Sequence, residues 1–418
     1  NFLMKKVVLI ILLWLISIIF VIIWTFDNPD IIEKVKSNFK KKIKPSYNLN
    51  TEVQKDAEII KIQTNSFTVK IKKIASLKDK TAFLLNNSND KNFKKEQINI
   101  YTQSGYLIDN LGVKKLNLPK TFTLENNGGI KTVFFNNKQQ YALISASKND
   151  CYYASIINLA DAKSLFSAKC LPEDIEKIDF NGLGSSFIKF DNKIILSLGT
   201  PTRSSAEISE LAQQDNSYYG KMLVLKKENI INESLSPEIF SKGHRVPQGL
   251  TKIKKNFFSV EHGPKGGDEL NKLKQGKNYG WPTVSYGTRY LYDEDGKSYS
   301  INHEKNNFEE PLFALVPSVG ISALNNCPKK LYDYYKKNCL IALSLHGNPQ
   351  REGKSILIYL LDEKFEEVHS VEKVYLGNNL VMRHFMTNKN NELYEDIDGN
   401  IYVSVDNKGI FKVGFENF

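Results

Sequence analysis

The sequence predicts an all-β body, best arranged as a β-propeller, preceded by one N-terminal transmembrane helix. Short β-rich runs with partial alternation recur beyond residue 55: SFTVKIKKIA, TAFLLNN, QYALISA, KIILSLGT, KMLVLKK, NFFSVEH, CLIALSL, SILIYLL and NIYVSVD. Turn-forming clusters separate them, among them Asn127-Gly-Gly, Asp191-Asn-Lys, Asp295-Gly, Asp398-Gly and Asn407-Lys-Gly. Helical patterning is confined to Ala206–Gln214 and Leu331–Lys337, so no strand–helix alternation builds a parallel sheet. Residues 55–418 contain no Pro/Gly/Ser-rich linker, and a propeller at ~40–50 residues per four-stranded blade takes up that length as one body. No crisp repeat accompanies the strands, so length alone selects a propeller over tandem sandwiches.

The N-terminal element rests on Val7–Trp24, eighteen residues with no charge and one serine. That length reaches a membrane span and exceeds the ~7–15-residue apolar core of a signal peptide. Lys5 and Lys6 precede it, and Thr25, Phe26 and Asp27 follow without a small-x-small cleavage site. Residues 1–26 therefore read as an uncleaved signal-anchor with Met4 as the start, and residues 27–54 as a Lys-rich linker. Lys34, Lys36, Lys40, Lys41, Lys42 and Lys44 beyond the span would draw the body toward the cytoplasm by the positive-inside rule. The cysteines argue the reverse. Cys151 and Cys170 bracket two apolar runs joined by a polar turn, and Cys327 and Cys339 bracket a Tyr-rich loop. Two local pairs suit two disulfides, hence an oxidising compartment, with the chain in the inner membrane and its body in the periplasm.

The net charge of +11 does not mark a nucleic-acid binder. Eight lysines against Asp27, Asp30 and Glu33 place +5 of it in residues 1–50. Only five of the 57 basic residues are Arg (Arg203, Arg245, Arg289, Arg351 and Arg383), whereas nucleic-acid surfaces lean on the guanidinium fork.

Residues 243–290 carry the chemistry. They read GHRVPQGLTKIKKNFFSVEHGPKGGDELNKLKQGKNYGWPTVSYGTRY, with Arg245 ahead of a strand, a glycine-rich loop after it, and an Asn-Tyr-Gly-Trp-Pro corner. This segment resembles the soluble quinoprotein glucose/sorbosone and aldose sugar dehydrogenases, whose motifs G-H-R-N-P-Q-G-L, E-H-G-P-x-G-G-D-E-x-N and N-Y-G-W-P occur here in order. Weaker similarity runs from Ile178 to Val413. The resemblance implies a six-bladed propeller holding pyrroloquinoline quinone (PQQ) and calcium at its centre and oxidising an aldose at C1 by hydride transfer to the quinone. It implies calcium on the carbonyls of Gly263 and Pro264, with Arg245 against quinone and substrate as the catalytic residue. His262, Ser318, His346 and Arg383 are the implied cofactor contacts, His346 and Arg383 facing the quinone carboxylates. An aldose sugar or glycan is the implied partner.

The sequence also departs from that pattern. Val246 replaces the asparagine after the motif arginine, and Val381 replaces one of two late arginines. The family's base, a histidine, falls on Asn181, Gly182 or Leu183, and its aspartate partner on Thr200. Since alcohol oxidation needs a proton acceptor, two readings stand: a dehydrogenase-like oxidoreductase lacking its usual base, or a catalytically degenerate propeller binding a glycan or protein.

Overall fold

The computed structural model describes residues 47–48 and 59–418, except 89, 204, 233–234, 289–298, 346–353 and 378–379. The apolar segment, the linker apart from Tyr47–Asn48, and His346 lie outside the described residues. Among those described, no helix is long and apolar enough to cross a membrane. Tyr47–Phe418 form one compact unit.

That unit is a six-bladed propeller of antiparallel sheets. Blade one is Thr81–Asn86, Ile98–Thr102, Tyr106–Asp109 and Gly112–Lys115, and blade two is Ile130–Asn136, Gln139–Lys148, Cys151–Asn158 and Ser164–Ser167. Blade three is Phe187–Phe190, Lys193–Leu198, Lys221–Lys226 and Glu238–Lys242, and blade four is Val246–Ile253, Asn256–His262, Asp268–Leu273 and Phe313–Leu315. Blade five is Ile321–Asn326, Asn338–Ser344, Ser355–Leu361 and Val368–Tyr375. Blade six takes Met382–Phe385, Ile401–Val405 and Gly409–Glu416 from the end of the chain and Thr68–Leu77 from its beginning, paired from Glu416↔Thr68 to Ile410↔Ala75. Tyr47–Asn48 and Ile59–Gln63 pair with the other edge of that strand.

Burial explains why the strands read so differently in sequence. The innermost strands of blades one and two are buried at every position, covered by neighbours on both faces, and are near-continuous apolar runs. The outermost strands are less covered: Gly112–Lys115 is mostly exposed, and Val368–Tyr375 is mostly half-buried or exposed and mixes polar with apolar residues. The helices are brief: Ala206–Glu210, capped by Ser205, Lys329–Tyr335, and a third at Lys227–Ile231 that the sequence pattern does not single out. Both disulfides, Cys151–Cys170 and Cys327–Cys339, are formed.

Three aromatic rings fill part of the centre. Phe83 of blade one lies 6.0 Å from Phe135 of blade two and 5.8 Å from Phe187 of blade three, centroid to centroid. From the end where the innermost strands finish, the segment after Phe385 turns inward. Asn391 donates to the Phe187 carbonyl at 2.8 Å, and its own carbonyl accepts from Asn325 at 3.1 Å. That segment crosses this end of the channel, where Asn391 lines a cavity together with Phe187, Leu250 and Asn325; the motif residues lie at the opposite mouth, where the innermost strands begin.

At that mouth five of the six innermost strands bulge. Ala82, Lys131, Gln248 and Ser322 are skipped in the ladders with their neighbouring strands, and Arg383–His384 lie in a shift between Met382 and Phe385. A bulge re-aims a side chain away from the regular pleat, and five of them at one rim point to a built site. Truncating the central aromatic cluster tests the packing beneath it: Phe83→Ala should cost ~3–5 kcal/mol, read as a lower urea midpoint at unchanged m-value.

Candidate functional site at the propeller mouth

Glu261 organises the blade-four side of the mouth. Its strand, Asn256–His262, pairs with Val246–Ile253 so that Glu261 lies opposite Pro247, one residue past the Arg245 turn. Oε2 accepts the Arg245 backbone N–H at 2.9 Å, and Oε1 accepts Asn271 Nδ2 at 2.8 Å and sits 3.0 Å from His244 Nδ1. The other ring nitrogen of His244 is 2.9 Å from Ser241 Oγ, and its ring stacks on Tyr279. Fully buried and bonded at both nitrogens, His244 anchors the Arg245 turn rather than offering a base. Burial and the Glu261 charge push the neighbouring Glu269 carboxyl well above its ordinary range.

The glycine-rich loop is held by a single carboxylate. Asp268 Oδ1 accepts the Gly263 N–H at 3.2 Å, while Oδ2 accepts those of Val319, Gly320 and Ile321 at 3.0, 2.6 and 3.1 Å. Desolvation nonetheless pushes this carboxyl up to about 6, against the pull of those amides. The Gly266 N–H donates to Ser318 Oγ at 3.2 Å, a second link between the two loops. A Cβ at Gly263 would lie 2.1 Å from the Gly267 carbonyl oxygen, so only glycine fits the turn.

Arg245 closes over this loop. One terminal nitrogen donates to the Gly263 carbonyl at 2.6 Å and the His262 carbonyl at 3.2 Å, and the guanidinium lies 5.1 Å from the Trp281 ring centre. Its Nε is buried with no partner. The structure therefore brings Arg245, His262, Gly263, Pro264 and Ser318 together at the mouth. The Gly263 oxygen that the resemblance assigns to calcium already accepts a cation.

Arg383 is the second residue of the innermost strand of blade six, but its expected role is altered. Its Nε donates to Asp406 Oδ1 at 2.6 Å and a terminal nitrogen to Oδ2, so a carboxylate of the chain itself neutralises it. His384 turns instead toward the Thr81 backbone, and burial beside Arg383 pushes its imidazole down to about 3, hence neutral.

The segment expected to hold the base has become a backbone contact. Asp179 caps the short turn Phe180–Leu183, accepting the Asn181 N–H at 3.0 Å and Asn127 Nδ2 at 3.1 Å. A Cβ on Gly182 would lie 2.4 Å from the Thr200 carbonyl oxygen. Thr200 donates its N–H and its hydroxyl to the Arg245 carbonyl at 2.8 and 3.1 Å. Side chains that would flank a proton acceptor are replaced by close main-chain packing. Just beyond, Ser185 holds φ +111° with its buried hydroxyl unpartnered.

Sequence reading missed Lys131. It is the bulged residue of blade two, 8% exposed, with Nζ donating to the Asn127 carbonyl at 2.6 Å. Desolvation pushes its ammonium down to about 7. The available signal was one charge at the second position of an otherwise apolar run, IKTVFF.

Two substitutions test this framework. Asp268→Ala would strand four amides in a buried site and should cost about 3 kcal/mol or more, whereas Asp268→Asn keeps the oxygen serving three of them and should cost less, by urea unfolding. For Glu269 the folded carboxyl retains its proton after the unfolded one has lost it, so its contribution falls as pH rises above the ordinary carboxylate range. Glu269→Gln should flatten that decline in a urea-midpoint series from acid to neutral pH.

Comparison with known proteins places this arrangement. Residues 129–411 match the family described as Glucose / Sorbosone dehydrogenase. The chain is 33% identical over 135 residues to Aldose sugar dehydrogenase YliI of Escherichia coli (strain K12), covering 29% of this chain and 35% of that protein. It is 36% identical over 94 residues to Quinoprotein glucose dehydrogenase B of Acinetobacter calcoaceticus, covering 21% of this chain and 19% of that protein. These matched segments thus span about a third or less of the relatives' own lengths. The fold matches the apo soluble aldose sugar dehydrogenase of Escherichia coli at TM-score 0.62 and 19% identity, over 83% of this chain and 99% of the other. It matches the PQQ-bound aldose sugar dehydrogenase of Streptomyces coelicolor at TM-score 0.54 and 15% identity, over 89% and 99% of the two chains. With well over half its length matching the family, the chain belongs to the glucose/sorbosone dehydrogenases.

Proposed function

We propose that this protein binds a saccharide at the open mouth of its propeller and does not oxidise it by the family's usual proton abstraction. The observation that carries this reading is the turn onto which the resemblance puts the base: a Cβ at Gly182 would lie 2.4 Å from the Thr200 carbonyl oxygen, and neither Asn181 nor Leu183 beside it can take up a proton as an imidazole would. Among the described residues, the one buried imidazole–carboxylate pair beside Arg245 is His244 with Glu261, and both partners are engaged in holding the turn.

The fit to PQQ and calcium follows from the donor set. A buried tricarboxylate needs several cations to offset its desolvation. Arg383 is neutralised by Asp406, Arg245 lies on the Gly263 and His262 carbonyls, and Val381 is apolar. The described residues do not fit the quinone and metal as the family pattern would hold them, and no step is assigned to either group.

Residues 1–26 support a membrane anchor, and the two disulfides support a body in an oxidising compartment such as the periplasm. A second reading, a membrane-anchored PQQ/calcium-dependent oxidoreductase, draws on the intact Gly263-Pro264 loop and the unpartnered Arg245 Nε, a buried donor aimed at no protein atom.

One experiment separates the two. The full chain in detergent is titrated with PQQ and calcium, then offered aldoses and a reducible dye. The expected result is saturable sugar binding by calorimetry with dye reduction at background. Sugar-dependent turnover of even about 1 s⁻¹, the low end of ordinary enzyme rates, would overturn the binding reading in favour of the oxidoreductase.

A further inference from the structure

We infer that Lys131 receives a carboxylate at the mouth of the propeller, so that the site takes an acidic sugar, a uronate, in preference to a neutral aldose. This rests on the proposal that the mouth is a saccharide site, and it adds the ligand's charge.

Two buried lysines show the difference between a structural ammonium and one awaiting a partner. Lys221 is fully buried, and its Nζ donates to the carbonyls of Leu211, Ala212 and Tyr219 at 2.9, 2.8 and 2.9 Å. All three of its N–H bonds are satisfied. Lys131 is more than nine-tenths buried but makes one such bond, to the Asn127 carbonyl. Among the described residues two N–H bonds lack an acceptor and no carboxylate lies within ion-pair distance. Burying an ammonium this way is costly unless an anion joins it.

Its position says where that anion comes from. Lys131 is the skipped residue of a bulge at the rim where Ala82, Gln248, Ser322 and Arg383–His384 are likewise displaced. The charged groups that face it come from different parts of the ring: Lys80 ahead of blade one, Arg383 of blade six, and Asp179 ahead of blade three. Arg383 carries Asp406, and one oxygen of Asp179 is engaged by Asn181 and Asn127. Lys80 and Arg383 both act against the charged form of Lys131, which an arriving carboxylate would favour. Asn127 bonds both Lys131 and Asp179, which places the ammonium beside the turn where the family pattern has its base. A sugar lying against that turn would bring an exocyclic carboxylate within reach of Nζ.

Linkage gives a sign. Burial holds the free Lys131 ammonium down at about 7, and a bound carboxylate stabilises its charged form. Affinity is then greatest below about pH 7 and falls as the ammonium of the free protein deprotonates, and binding above that pH takes up a proton.

The test is calorimetry on the full chain in detergent with D-galacturonate, D-galactose and PQQ as separate titrants. At mildly acidic pH galacturonate should bind at least about tenfold tighter than galactose. Lys131→Met should abolish the preference and Lys131→Arg retain it, with thermal unfolding confirming that both variants fold. Wild type titrated at pH 8 in buffers of different ionisation enthalpy should show proton uptake with galacturonate and none with galactose. Lys131-dependent binding of PQQ without galacturonate would assign the same carboxylate contact to the quinone. Equal affinity for the two sugars, or a preference that survives Lys131→Met, would overturn the inference and leave the saccharide reading standing. Binding of neither sugar, with the fold intact, would overturn both.

Discussion

A four-stranded blade cannot bury both of its faces alone, and every other feature of this protein follows from that constraint. Six sheets satisfy it by packing in a ring, and the ring is sealed because Thr68–Leu77 pairs with Gly409–Glu416, joining the beginning of the body to its end. Once the blade faces are given over to one another, the places where side chains from several blades can meet are the two mouths. One is crossed by the Asn391 segment, which lines a cavity there with Phe187 and Asn325. At the other, the starts of the innermost strands converge, and the bulges there turn Lys131 and Arg383–His384 out of the pleat. The site is a consequence of closure.

Much of this was legible in the sequence because burial writes itself as composition. Runs such as TAFLLN and SILIYLL are apolar in their interiors because neighbouring blades cover both faces, and they fall on Thr81–Asn86 and Ser355–Leu361. The glycine loop was legible for a different reason: with a Cβ of Gly263 landing on the Gly267 carbonyl, the turn tolerates little variation, so its motif survives where the rest of the chain has diverged. What escaped was anything that depends on a partner distant in sequence. Nothing near Arg383 announces that Asp406, on the adjacent strand, will neutralise it. Nothing near Lys131 announces a bulge, since a skipped residue shows only in register with Gln139–Lys148. Nothing near His244 in the sequence announces its partners, Ser241 and Glu261 beneath the turn, which the hairpin register brings to it.

The changes at the mouth belong together physically. In oxidation by hydride transfer, an imidazole base works only together with a hydride acceptor opposite it, and a buried tricarboxylate acceptor needs cations to offset its desolvation. In this chain the turn onto which the resemblance puts the base, Asn181 to Leu183, has Gly182 packed on a carbonyl, the expected orienting position is a threonine bonded to the Arg245 turn, and Arg383 is matched by Asp406. Each change removes a reason for the next to be retained. What persists is the part with a structural duty: Glu261 and Asp268, which fold the Arg245 turn and the glycine loop whether or not chemistry follows.

That division explains why a strong family resemblance and a missing base are compatible. The motif residues that match best are the ones whose removal would leave buried amides and carbonyls unpaired, a penalty felt by folding itself. The residues that differ are those whose loss affects only what enters the mouth. A scaffold under such constraints keeps its outline while its ligand changes, and the new ligand is to be sought where the surrounding charge is unbalanced. Here that place is Lys131, a buried ammonium with two donors unused among the described residues, whereas Lys221 and Arg245 lie on carbonyl oxygens and Arg383 on Asp406.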